Sequence, residues 1–136
     1  MKQTIELHKR WKDDPSKGEV FTPSELVCEM LDKIPTSVWE NPESVFLDPC
    51  MGKGTFIIEI VKRLVNIYGY SKEDAVSRVY GYDTCVKYVN HLKRGGLVNV
   101  FHKDFWVIRL KKFMQENPDQ NYVITDCRFQ NEIQFV

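Results

Sequence analysis

The residues most able to do chemistry are gathered in Asp48-Pro49-Cys50-Met51-Gly52-Lys53-Gly54-Thr55, where an acid and a thiol lead into a glycine-bracketed turn. Gly52 and Gly54 let the backbone take positive φ or approach a ligand closely, so such a loop is expected to present backbone N–H groups to a bound molecule. Two further acids, Asp83 and Asp104, follow short apolar runs. Asp83 suits a nucleoside ribose, because one carboxylate accepts two hydroxyl hydrogen bonds at once; the plain alternative is a helix-capping or solvent-facing acid. Metal chemistry is not indicated. Cys28, Cys50, Cys85 and Cys127 are scattered without a C-x-x-C pair, and His102 has no ligand cluster around it and reads as a surface residue.

The elements that must position these groups can be read from apolar spacing. Val45-Phe46-Leu47 reads as a buried strand that exits at Asp48-Pro49, with Thr55 capping the helix that follows. That helix carries Phe56, Ile57, Ile60, Val61, Leu64, Val65 and Tyr68 on its apolar side and closes at Gly69. Upstream, Thr22 is expected to cap a helix with Pro23 in its first position and Glu25 completing a capping box, and Pro35 marks its end. Downstream, Ser71 caps a short helix, and Val79-Tyr80-Gly81-Tyr82-Asp83 is a second strand ending in an acid. A helix then runs from Thr84 through Leu92 to Gly95-Gly96, and Val98-Asn99-Val100-Phe101 is a third strand leading to His102-Lys103-Asp104-Phe105. Three strand–loop–helix units in succession predict a parallel sheet with crossover helices and ligands at its carboxyl edge.

Composition narrows the class. At 136 residues the chain is read as one domain, 1–136, with an amino-terminal arm over 1–18 whose Trp11 reads either as a pin to the body or as an exposed anchor for another chain. Lysine plus arginine and aspartate plus glutamate both number 19, so no global field draws the chain to nucleic acid, although a local basic face is compatible with that balance. The cysteines read as reduced thiols, packed as small core residues in a cytosolic protein. No run approaches the roughly 20 apolar residues of a membrane span, and the amino terminus lacks the apolar region of a signal peptide, so a cytoplasmic location is expected.

Ligand classes for the glycine turn can be separated by spacing. A phosphate-binding P-loop needs G-x-x-x-x-G-K-[S/T], but here Lys53 lies between the glycines and no glycine stands four residues before Gly52. A dinucleotide fingerprint G-x-G-x-x-G meets Ile57 where its third glycine belongs. A third class is S-adenosylmethionine. Leu47-Asp48-Pro49-Cys50-Met51-Gly52-Lys53-Gly54-Thr55-Phe56 resembles the D-P-x-C-G-x-G-x-F signature of the amino-methylating, adenine-specific DNA methyltransferases, with Met51 as the departure. Gly18-Glu19-Val20-Phe21-Thr22-Pro23 is similar to the family's G-x-[FY]-[FY]-T-P element. The resemblance, over about 17–105, implies a Rossmann-like methyltransferase fold, truncated, with a mainly parallel sheet and flanking helices. It implies S-adenosylmethionine as cofactor, held by Phe21, Thr22 and Pro23 at its methionine end, by Asp48, Pro49, Cys50, Gly52, Gly54 and Phe56 at the loop, and by Asp83 at the ribose. Asp104 would meet the adenine amino group and Phe105 would pack on the ring.

The likeness breaks in the divergent segment 106–136. The family's [D/N/S]-P-P-[Y/F/W] motif holds the target amino group and stacks the flipped base. Here the expected fourth strand, Tyr122-Val123-Ile124-Thr125, leads to Asp126-Cys127-Arg128-Phe129, so Asp126 and Phe129 match as catalytic positions and the two prolines do not. The stretch from Trp106 onward looks instead like part of the phage deoxynucleoside monophosphate kinases, but the P-loop of a kinase is missing. The resemblance implies a DNA adenine methyltransferase, or a truncated homologue of one, of phage or restriction-modification type, with DNA as substrate. The alternative is a non-catalytic subunit, decoy or regulator that acts through a protein partner or self-association completing the sheet. A deoxynucleotide kinase fragment ranks below both.

Overall fold

Helix α3, Thr55–Asn66, is the element on which the rest is assembled, and its sequence explains why. Ile57, Ile58, Ile60, Val61 and Leu64 recur at helical spacing and are buried, three of them, Ile57, Val61 and Leu64, completely. Burying side chains of this size contributes about 1.5–3 kcal/mol each, which is ample to order a helix that would be marginal alone. The computed structural model describes residues 21–119. The expectations for Trp11, for the strand at 122–125 and for Asp126 and Phe129 lie outside the described residues.

Around α3 the chain lays down α1 (Ser24–Asp32), α2 (Thr36–Glu40), β1 (Phe46–Asp48), α4 (Lys72–Ser77), β2 (Val79–Asp83), α5 (Val86–Arg94), β3 (Val100–His102) and α6 (Phe105–Glu116). The three strands form one parallel sheet in the order β1-β2-β3, with Asp48 beside Gly81 and Asp83 beside His102. Burial alternates along them. Phe46, Val79, Gly81 and Val100 face the core, against α3 and α5, while Leu47, Tyr80, Tyr82 and Phe101 occupy the alternate positions and are open to half-buried. The chain is thus a mixed α/β protein with helices flanking a small parallel sheet. Among the described residues no helix is long and apolar enough to cross a membrane.

Several local expectations are corrected. Helix α1 begins one residue later than its capping box implied. Pro23 occupies the cap position with an extended ψ of 145°, its carbonyl accepts from the Val27 N–H, and no side chain caps the end. Thr55 is the first residue inside α3 rather than its cap, a place taken by Gly54 at φ 84°. Pro35, read only as a terminator, also starts α2, whose Trp39 is buried between Phe46 and Tyr68. Strand β1 is not a fully buried strand, since Val45 and Leu47 are exposed. Strand β3 lies two residues further on, at Val100–His102, because the Asn99 carbonyl joins the ladder through the Gly81 N–H while Val98 stays outside. None of Cys28, Cys50 and Cys85 is a buried core residue. The Ser71 cap holds as expected, accepting from the Asp74 N–H at 3.1 Å.

Candidate functional site

Among the described residues, the candidate groups collect where the three strands end. The Asp48 carboxylate accepts from the Cys50 N–H at 3.1 Å, folding the chain back on itself as it leaves β1. Met51 then turns inward. Its N–H donates to the Tyr82 carbonyl at 2.9 Å, and its side chain is buried against Gly81, where a Cβ would stand 2.4 Å from the Met51 sulfur. Met51, a departure from the family signature, is therefore a plug fitted to a bare position on β2. The pairing was invisible in sequence because it joins two distant strands; Gly81 in a strand interior was the available signal.

Gly52 and Gly54 do what their types suggest for the backbone. Gly52 takes φ 55° and Gly54 φ 84°, and a Cβ on Gly54 would stand 2.6 Å from the buried Leu92 of α5. The helix can approach this closely only without a side chain there. Phe21 lies against Gly52, packs edge-on to Tyr88 at 5.7 Å, and has the Lys53 ammonium 4.9 Å from its ring centre. Phe21 is thereby placed at the glycine turn, with Thr22 and Pro23 following it toward α1. Phe56 is half-buried on α3 and packed against the core.

Four of the backbone donors at the turn are, however, already spent inside the protein. The N–H groups of Cys50, Met51, Gly52 and Gly54 are all taken within the protein, by Asp48, the Tyr82 carbonyl, Asp83 and the Met51 carbonyl. Asp83 is the connecting group. One oxygen accepts from the Gly52 N–H at 2.9 Å and the other from the Cys85 N–H at 2.7 Å, so the tip of β2 is tied to the turn after β1. Each oxygen retains acceptor capacity, since a carboxylate offers about four lone-pair sites.

Asp104 completes the edge. It caps α6 by accepting from the Val107 N–H at 3.1 Å, and Phe105 packs on Tyr82 at 5.2 Å between ring centres. Tyr82 in turn packs on Phe101 at 5.1 Å. Asp48, Asp83 and Asp104 all act on the Cys50 thiol, whose pKa is raised first by burial and then by these charges, against a hydrogen bond from Trp106 that lowers it. The Asp48 carboxyl is likewise raised above 3.8, first by burial, with Asp83 adding to it and the Cys50 N–H opposing. The site is thus acidic, and rich in acceptors. His102, expected at the surface, is exposed and meets the Thr84 carbonyl at 2.9 Å.

One structural residue escaped the sequence reading. Arg78, 5% exposed, donates to the carbonyls of Ser44 and Asn41 at 2.8 Å each and lies over the Tyr70 ring, fixing the approach to β1.

Comparison with known proteins gives one concordant picture. The family described as N-6 DNA Methylase matches residues 8–94. The type II methyltransferase M.VspI of Vibrio sp. is 36% identical over 66 residues, 46% of this chain and 15% of that protein. An uncharacterized adenine-specific methylase of Mycoplasma pneumoniae is 42% identical over 55 residues, 38% of this chain and 13% of that protein. The matched regions are thus a small part of either relative. The family match ends at residue 94 and gives no support to the kinase likeness of the last quarter. No solved structure matches.

Proposed function

Because the chain belongs to the N-6 DNA methylase family, we propose that its carboxyl sheet edge binds S-adenosylmethionine and that it is the cofactor-holding part of a DNA adenine methyltransferase of Rossmann-like fold. The observation that carries this reading is the polarity of the edge. Four N–H donors of the glycine turn are spent internally, while Asp48, Asp83 and Asp104 supply acceptors and negative charge. A phosphate group would meet the repulsion of these three carboxylates there. A ligand with a ribose diol and a cationic centre fits the same groups, and S-adenosylmethionine has both.

In this reading Asp83 accepts the ribose hydroxyls with its remaining lone pairs, and Phe21, Thr22 and Pro23 border the methionine end. Asp48, Pro49, Cys50, Gly52, Gly54 and Phe56 shape the turn, while Asp104 takes the adenine amino group beside Phe105. When bound, the cofactor would supply a methyl group activated by the positive sulfur. On the substrate side, Asp126 would accept from the target amino group and Phe129 would stack on the base, aligning a weak nucleophile for in-line attack. We assign 1–136 to one domain with an arm over 1–18, acting on DNA in the cytoplasm. In the alternative reading, a protein partner or second copy completes the sheet at its open edge.

The test is transfer of labelled methyl from S-adenosylmethionine to duplex DNA. Incorporation above that of an Asp83→Asn control is expected. Cofactor bound without any transfer would contradict the enzymatic half of the proposal and favour a cofactor-binding subunit.

A further inference from the structure

We propose that Lys53 is a binding residue for the carboxylate of S-adenosylmethionine, so that the site selects a ligand with an intact amino-acid end; the inference rests on the cofactor reading above. The turns after β1, β2 and β3 carry two lysines to the sheet edge, Lys53 after β1 and Lys103 after β3. Strand β2, with Asp83 at its tip, lies between them. The two lysines differ in how they are held. Lys103 is exposed, whereas Lys53 is half-buried and its ammonium stands 4.9 Å from the centre of the Phe21 ring. That ring is itself fixed: a Cβ on Gly52 would stand 3.3 Å from it, and it packs edge-on to the buried Tyr88 of α5 at 5.7 Å.

These contacts give Lys53 its place in the site. Gly52 donates its N–H to Asp83 at 2.9 Å, so one residue touches both the acceptor assigned to the ribose and the ring that carries the ammonium. Among the described residues Lys53 is in no ion pair, and its charge rests on a ring face rather than on a carboxylate. An ammonium so placed keeps its donors for an anion, and being already positioned it loses less freedom on binding than an exposed lysine does. S-adenosylmethionine carries one anionic group, its carboxylate, together with a cationic sulfur and an ammonium. The acids of the edge favour the two cations and repel the carboxylate, and Lys53 is the positioned cation that offsets this.

The experiment is calorimetric titration of S-adenosylmethionine and of its decarboxylated form, which keeps the sulfonium, the ribose and the amine, into the full chain as wild type, Lys53→Met and Lys103→Met. Methionine preserves an unbranched stem, and circular dichroism checks the fold. The wild type should prefer S-adenosylmethionine, although the acids alone would favour the more positive decarboxylated compound. Lys53→Met should weaken S-adenosylmethionine about tenfold while weakening the decarboxylated form by less than about threefold, with Lys103→Met leaving the preference in place. A wild type without the preference overturns the role of Lys53 even if the variant fails to fold. An affinity ratio unchanged in Lys53→Met, or lost in Lys103→Met instead, also overturns it and leaves the cofactor reading standing. Failure of the wild type to bind S-adenosylmethionine overturns both.

Discussion

Asp48 is held where its own charge is disfavoured. Burial raises its carboxyl above the ordinary 3.8 and the neighbouring Asp83 adds to the shift. The folded state therefore binds the proton more tightly than the unfolded chain, so stability falls as pH climbs from 3.8 through the raised value and stays lower above it. Asp48→Asn keeps an oxygen for the Cys50 N–H and removes the charge. Denaturant unfolding should show the variant more stable than the wild type at pH 7, with the advantage closing as pH falls toward 3.8. An advantage that grows in acid would refute the assignment. A residue that costs stability at neutral pH is suited to a binding role, where a cationic ligand would favour the ionised form.

At the scale of elements, the junction of the glycine turn with α5 carries the tightest constraint. Gly54 combines φ 84° with Leu92 standing 2.6 Å from the place of a Cβ. Gly54→Ala should destabilise the fold by about 2–4 kcal/mol, a lowered denaturation midpoint being the readout, because left-handed strain and overpacking add. A change below about 0.5 kcal/mol would show that α3 and α5 can separate freely at this point. Much of this level was legible in the chain. Val79–Asp83 was read with both ends right, since its apolar residues and terminal acid are local signals. The Ser71 cap was legible for the same reason. Thr22 and Thr55 were misread because hydroxyl residues beside Pro or Gly satisfy the same local rule whether or not the backbone places them at the cap. Met51 against Gly81 and Arg78 against Ser44 join distant positions, and no spacing rule reports a tertiary partner. The site followed the same division. Spacing pointed to Asp48, the two glycines and Asp83 as candidates, but that four of the turn's N–H groups would be consumed by the protein's own acceptors depended on how β1 and β2 pack side by side.

For the whole molecule, the parallel order β1-β2-β3 sends every strand toward one edge, and that single fact gathers Asp48, Asp83 and Asp104 from positions far apart in sequence. Equal numbers of cationic and anionic residues leave no broad attraction to nucleic acid, so the selectivity proposed for the site would rest on this local acidic edge. The most direct test is calorimetric titration of S-adenosylmethionine, with ADP as a phosphate-bearing comparison, into the wild type and Asp83→Asn. The account predicts saturable binding of S-adenosylmethionine, at least about tenfold weaker in the variant for loss of a charged acceptor, and no comparable binding of ADP. Absence of S-adenosylmethionine binding at millimolar concentration, or preferential binding of ADP, would contradict it.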